Sequence, residues 1–323
     1  MTLLSSVEIC AGAGGQALGL EQAGFGHAAL VEIESRYCET LRLNRPHWNV
    51  FGHGLADFDA RPFKGIDLLA GGLPCPPFSK AGKQLGKDDE RNLFPDALRL
   101  IDECRPRAIM IENVRGFLDD VFEDYRTDLK ARLRKLGYET RWRLLNASDF
   151  GVPQLRPRVV IVALRSTLAS DFNWPAAAAS DAPTVGETLF DLMAANGWHG
   201  ATVWKQGANE IAPTIVGGSK KHGGPDLGPT RARRAWASLG VNGKSIADAA
   251  PERDFIGMPR LTARMAARLQ GFPDSWRFVG GKTIAYRQIG NAFPPPVARA
   301  VEVAIKTVLT VSRHPAIGMP RHA

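Results

Sequence analysis

Apolar residues recur along the first 165 positions in two rhythms. Short runs at 3–9, 27–33, 66–71, 107–112, 139–145 and 158–164 have the length and β-branched character of strands. Between several of them, apolar positions three and four apart over 15–23, 34–43, 94–103 and 125–136 predict helices. Alternation of this kind requires crossover connections, which build a mostly parallel sheet with helices on both faces. The expected fold class is therefore α/β. In such sheets a ligand sits at the carboxyl ends of the strands.

From about 170 to 260 the periodicity fades, and Gly217, Gly218, Gly223, Gly224, Gly228, Gly240 and Gly243 punctuate the chain. This stretch reads as a separate, loop-rich unit. Its 201–260 part carries nine Lys/Arg against five Asp/Glu. A helical pattern resumes at 261–269, and another closes the fold over 296–311, before a tail that reads as frayed. Over the 323 residues, hydrophobic positions make up 44% and charged ones 23%, the balance of an ordinary globular protein. No run approaches the roughly 18 apolar residues that span a bilayer, and the first residues lack the basic and small-residue features of a secretory signal. The reading is cytosolic.

The net charge of +8 favours a polyanionic partner without requiring one. Four cysteines, Cys10, Cys38, Cys75 and Cys104, stand far apart with no CxxC pair. That argues against a disulfide framework and against structural zinc. Each is then a small buried hydrophobe or a reactive thiol.

Four segments carry chemistry. Glu8-Ile9-Cys10-Ala11-Gly12-Ala13-Gly14-Gly15 follows a strand and opens a helix; its glycines let backbone turn tightly and approach a ligand. Glu32, at the end of the next strand, can accept hydrogen bonds from ribose hydroxyls. Together they point to an adenosine-containing cofactor. Gly71-Gly72-Leu73-Pro74-Cys75-Pro76-Pro77-Phe78-Ser79 places a cysteine just past a buried strand, in a proline-rich loop that pre-organises the thiol. Cys75 is the candidate nucleophile. Glu112-Asn113-Val114 again ends a strand; desolvated there, Glu112 is expected to have a raised pKa and to donate a proton near neutrality. In Gln154-Leu155-Arg156-Pro157-Arg158 the two arginines alternate on extended chain. One can reach the site while the other pairs structurally or meets a phosphate.

Taken together these segments resemble the cytosine-5 DNA methyltransferase family, in the family's order and over most of the chain. Gly12 to Gly15 resemble its cofactor loop, Pro74-Cys75 its nucleophile motif, Glu112-Asn113-Val114 its ENV motif, and Gln154-x-Arg156-x-Arg158 its QxRxR motif. The stretch from Arg260-Leu261-Thr262 to Gly271-Phe272-Pro273, and Gln288-Ile289-Gly290-Asn291-Ala292-Phe293-Pro294-Pro295, resemble the last two motifs. Three positions depart from the pattern. Glu8-Ile9-Cys10 stands where the family usually has Asp-φ-Phe, Gly54 where it often has an acid near the adenine amine (Asp57 is nearby), and Met265 where it commonly has Glu.

The resemblance implies a Rossmann-like S-adenosylmethionine-dependent methyltransferase fold with a smaller target-recognition domain. The catalytic domain would comprise 1–172 completed by 284–323, and the recognition domain 173–283. It implies a bacterial enzyme of the restriction-modification type that methylates carbon 5 of cytosine in double-stranded DNA. The base would be flipped out and attacked by Cys75; Glu112 would act at ring N3, Arg158 at the carbonyl oxygen, and Asn113 on the loop. S-adenosylmethionine would lie against Cys10, Ala11, Gly12, Ala13, Gly14, Gly15, Glu32, Ile33, Leu55, Pro74, Leu93 and Asn291, and no metal is called for. DNA contacts are expected from Ser79, Lys83, Arg156, Arg231, Arg233 and Arg234, with Lys80, Lys220 and Lys221 as further candidates. The expected state is a monomer, cytoplasmic and associated with the nucleoid through DNA. An RNA cytosine-5 methyltransferase acting on transfer RNA is the alternative. A dead DNA-binding paralogue leaves the intact Cys75, Glu112 and Arg158 without a purpose, and a nicotinamide oxidoreductase explains the glycine loop alone.

Overall fold

Strand β1 (Leu4–Ile9) lies near the middle of a seven-stranded sheet, flanked by β2 (Phe25–Val31) and β4 (Leu68–Gly72). The computed structural model describes residues 3–74, 92–217 and 224–311. With β3 (Val50–Phe51), β5 (Ala108–Val114), β6 (Tyr138–Asn146) and β7 (Pro157–Arg165), the strand order is β3-β2-β1-β4-β5-β7-β6. The first five strands in chain order pair in parallel; β7 runs antiparallel to both β5 and β6. The two-residue β3 escaped the sequence pattern because it is too short to show a period. The six expected strands are present with ends displaced by at most two residues.

Alternation along the strands divides the core between two faces, since successive side chains point to opposite sides. Val7, Ile9, Leu69, Ile109 and Ile111 face α3 (Phe94–Cys104) and α4 (Glu123–Lys135). Leu68, Ala70, Met110, Val160 and Val162 face the other way, toward α1 (Gly15–Ala23) and the closing helix α10 (Pro295–Val311). Helix α2 (Ser35–Asn44) follows β2.

The stretch expected to be loop-rich holds three short helices: α5 (Val185–Met193), α6 (Ala201–Gly207) and α7 (Thr230–Ser238). Each has only seven to nine residues, about two turns, which leaves little periodicity to read. They are held by a third apolar cluster that includes Leu189, Met193, Trp198, Trp204, Trp236 and Trp276 and continues into Leu18, Leu41 and Trp48 of the sheet side. Helices α8 (Ala263–Leu269) and α9 (Lys282–Asn291) complete it. At the start of α8, Thr262 Oγ accepts the Met265 amide at 3.2 Å while the Met265 sulfur accepts the Thr262 amide at 3.3 Å. The thioether thus takes the place that a glutamate fills in a capping box. Among the described residues no helix is long and apolar enough to cross a membrane.

Candidate active site and cofactor cavity

Beyond Ile9 the chain turns sharply at the carboxyl edge of the sheet. Cys10, Gly12 and Gly14 all adopt positive φ, of 52°, 57° and 87°. The turn hangs on Glu32: one carboxylate oxygen accepts the Gly12 amide and the other the Glu34 amide, both at 2.8 Å. Burial pushes the Glu32 carboxyl up, and these amides pull part of the way back. Gly15 is required by proximity, because a Cβ there would lie 2.2 Å from the Phe293 carbonyl oxygen.

The turn opens onto a cavity at the carboxyl edge of the sheet, where ligands sit in folds of this kind. Of the residues expected at the cofactor, Cys10, Ala11, Gly12, Ala13, Gly15 and Asn291 line it; Gly14, Glu32, Ile33, Leu55, Pro74 and Leu93 do not. Ile33 is 68% exposed. At its side, the space where Gly54 would carry a Cβ lies 3.6 Å from Ile33 Cδ1 and 3.7 Å from the Asp57 carboxylate. Asp57 therefore supplies a carboxylate beside the position where Gly54 lacks one. Glu8, Gln16, Tyr37, Gly72, Gln288 and Phe293 also line the cavity and were not among the expected cofactor residues. Glu8 had a signal, an acid at the end of β1 immediately before the glycine turn. Gln16 had none, since it reads as an ordinary first-turn helix residue. All four side-chain polar atoms of Glu8 and Gln16 are buried without a hydrogen-bond partner among the described residues, and such atoms await a polar ligand or water. The cavity accordingly fits a polar cofactor.

Glu112 lines the same cavity. It sits across from Gly72 in the parallel β4–β5 register, and Gly72 is three residues before Cys75 in sequence. Cys75, Ser79, Lys80 and Lys83 lie outside the described residues. Arg158 Nε meets Glu112 Oε1 at 2.8 Å, and its Nη1 donates to the Pro157 carbonyl at 2.8 Å. Burial raises the Glu112 pKa, while the charges of Arg158 and Arg156 hold it back. Asn113 is fully buried; its Oδ1 accepts the Val114 amide at 2.9 Å and its Nδ2 has no partner among the described residues.

The two arginines of the QxRxR segment divide their work. Arg158 reaches the site; Arg156 reaches no surface, being 1% exposed. Arg156 Nη1 donates to the Ile215 carbonyl at 2.7 Å, and Nη2 to the carbonyls of Gly290 at 2.7 Å and Ala292 at 3.0 Å. Gln154 braces the same seam, accepting the Ile215 amide at 2.9 Å and donating to Gln270 Oε1 at 2.6 Å. The expectation of a DNA contact at Arg156 is therefore corrected. A guanidinium buried among carbonyls is a strut, and of the alternatives open to the pair, structural pairing holds for Arg156.

The C-5 cytosine-specific DNA methylase family matches residues 4–307. The chain belongs to this family. It is 57% identical over 300 residues to the Type II methyltransferase M.NgoMIV of Neisseria gonorrhoeae, covering 92% of this chain and 95% of that protein. It is 56% identical over 317 residues to the Type II methyltransferase M.NaeI of Lentzea aerocolonigenes, covering 96% and 76%. A crystal structure of a DNA modification methyltransferase encoded in an E. coli prophage superposes with a TM-score of 0.67 at 24% identity, covering 95% of this chain and 99% of that one. That likeness supports the fold.

As a C-5 DNA methylase the enzyme moves the methyl group of S-adenosylmethionine to carbon 5 of cytosine in DNA. Base flipping and a covalent cysteine adduct are general features of the family. Of the methylase's expected DNA contacts, Arg231 and Arg234 are exposed on α7, three residues apart and so on one side of the helix. Arg233 is half-buried, with its stem near Gly243. Among the described residues none of the three has a carboxylate partner, whereas Arg36, Arg45, Arg99, Arg107 and Arg268 all do. Lys220 and Lys221 lie outside the described residues.

Proposed function

We propose that this methylase acts on one specific sequence of double-stranded DNA as the modification half of a restriction–modification pair. Cys75 would be its nucleophile, Glu112 and Arg158 the groups that manage charge on the flipped cytosine. The single observation behind these roles is the 2.8 Å Glu112–Arg158 pair at the edge of the cofactor cavity. The cofactor supplies an electrophilic methyl group. Carbon 5 of cytosine is too weak a nucleophile to take it unaided, so the Cys75 thiolate adds to carbon 6 and pushes electron density onto carbon 5. Glu112, its carboxyl raised by burial, donates a hydrogen bond or proton at N3. Arg158, already fixed to Glu112, offers its remaining donors to the carbonyl oxygen. After transfer the C5 proton leaves, the C5–C6 double bond re-forms, and the Cys75 thiolate departs. Asn113, whose buried Nδ2 donor has no partner among the described residues, is suited to hold the segment that carries Cys75.

The cofactor's seat would be formed by Cys10 to Gly15, Glu32 and Asn291, with Asp57 in place of the missing acid at Gly54. Residues 1–172 and 284–323 would form the catalytic domain and 173–283 the recognition domain. There Arg231, Arg233 and Arg234, cations with no carboxylate partner among the described residues, would meet phosphates or guanine edges. One cleft and one recognition unit suffice for a monomer acting in the cytoplasm at the nucleoid.

The test mixes the protein with tritiated S-adenosylmethionine and duplex genomic DNA, beside Cys75→Ser and a transfer-RNA control. Label recovered as 5-methylcytosine in DNA and lost in the variant is the expected result. Label in RNA alone, or label that survives Cys75→Ser, would overturn the reading.

A further inference from the structure

Beneath the cofactor cavity lies a cluster of polar groups that methyl transfer does not use. Glu8 on β1 is 1% exposed, and Glu302 on α10 is fully buried. Among the described residues, all four of their carboxylate oxygens are buried with no hydrogen bond, and so are both polar atoms of the neighbouring Gln16. No described cation forms an ion pair with either acid. Burial raises the Glu8 carboxyl, the amide of Ala17 on α1 draws it part of the way back although it lies outside hydrogen-bonding geometry, and the charge of Glu32 beyond β2 raises it again. Glu302 feels Glu8. Cys10 on the same turn, Glu112 across the cavity and Tyr37 from α2 are the other titratable groups lining this space. His27 of β2 also approaches α1, bonding the Ala17 carbonyl at 3.0 Å, and burial holds it neutral with a pKa lowered to about 4. On α10 itself the cations point elsewhere: Arg299 is exposed, and Lys306 donates to the Ala23 carbonyl at 2.8 Å.

Two carboxylates buried in one core without a cation cannot both stay ionised, so they must keep protons or gain positive charge. The cavity that Glu8 lines is where positive charge arrives. At neutral pH S-adenosylmethionine carries a sulfonium, an ammonium and a carboxylate, for a net charge of +1. Its demethylated product has a neutral thioether in place of the sulfonium and a net charge of zero. The incoming cation stabilises an ionised Glu8; the outgoing product does so less. We propose that Glu8 and Glu302 form a buried acid pair that keeps its protons in the free enzyme and gives one to solvent when the cationic cofactor binds, so that discrimination between cofactor and product strengthens as pH rises. The proton is the only species transferred. It passes from the pair to water on binding and returns when the product leaves. The proposal rests on this cavity being the cofactor's seat.

Isothermal titration of the whole enzyme with S-adenosylmethionine and with S-adenosylhomocysteine tests it, in phosphate and in Tris between pH 6 and 8. Two buffers of different ionisation enthalpy give the protons released directly. The expected result is release of up to one proton with S-adenosylmethionine and much less with S-adenosylhomocysteine. Affinity for the cofactor alone should rise, by up to tenfold per pH unit, where the count approaches one. Glu8→Gln should abolish the release, whereas Glu302→Gln, which replaces a carboxyl that keeps its proton throughout, should leave the release in place. Equal release with both ligands, no release from wild type, or release that persists in Glu8→Gln would overturn the coupling. Filling the cavity with Gln16→Trp, checked for folding by circular dichroism, separates the premise: loss of binding supports the seat, and undiminished binding overturns it.

Discussion

Replacing Arg156 with lysine distinguishes a strut from a DNA contact, and the magnitude follows from the three carbonyls it serves. Its two terminal nitrogens reach the Ile215, Gly290 and Ala292 carbonyls at 2.7, 2.7 and 3.0 Å. A lysine ammonium is a single point without the planar fork, and it keeps at most one of these directions well satisfied. The Ala292 carbonyl keeps its bond from Gln270 Nε2, so either the Ile215 or the Gly290 carbonyl goes without the donor it had, at a cost of about 1–3 kcal/mol for Arg156→Lys. At roughly 2–4 °C per kcal/mol for a large domain, the midpoint of thermal unfolding should fall by about 2–12 °C. Arg156→Met, which removes all three bonds, should fall further. The substitution should also loosen the seam between the segment leading to Ile215 and the end of α9, where a Cβ on Gly290 would meet the Gly217 amide nitrogen at 2.3 Å. Circular dichroism melts give the stability, and DNA affinity measured at three salt concentrations gives the electrostatic footprint. An unchanged melting temperature, together with a log Kd–log salt slope reduced by about 0.9, would refute the strut and restore the phosphate interaction.

Three further outcomes follow from the same geometry. Folding raises the pKa of both Glu8 and Glu302, so the native state holds extra protons and its stability is greatest below the unfolded glutamate value of about 4.3. That contribution disappears as pH rises toward the folded values; Glu302→Gln should therefore flatten the decline, by up to about 1.4 kcal/mol per pH unit, in urea melts at several pH values. Arg231→Ala and Arg234→Ala should each weaken DNA binding on all sequences, or on one guanine-containing site if they read a base, and a side chain that had met a phosphate should take about 0.9 off the salt slope when it is removed. Gly15→Ala forces a methyl group to 2.2 Å from the Phe293 carbonyl oxygen, and it should abolish cofactor binding in titration calorimetry while Gly207→Ala, with open space at its Cβ, should not.

Much of this enzyme is written locally. The longer helices of the first 165 residues carry their period in sequence because one face of each is buried, and the central strands show as continuous apolar runs because both faces of the sheet are covered. Glu112 and Arg158 were each legible from their motifs as site residues, and it is the antiparallel pairing of β5 with β7 that brings them into a 2.8 Å ion pair. What no local pattern carried was the division of labour between Arg156 and Arg158. Alternation on an extended chain says that they face opposite ways, but not that one direction is filled by carbonyls from residues 59 to 136 positions away. The short helices α5 to α7 were hidden for a related reason: two turns are stabilised by what they dock against, here tryptophans gathered from four separate stretches of chain. The acid pair is the extreme case. Glu8 and Glu302 are separated by nearly the whole chain, and although Glu8 stands out before the glycine turn, Glu302 looks like an ordinary surface glutamate in sequence; only the packing of α10 on the sheet takes them both out of water.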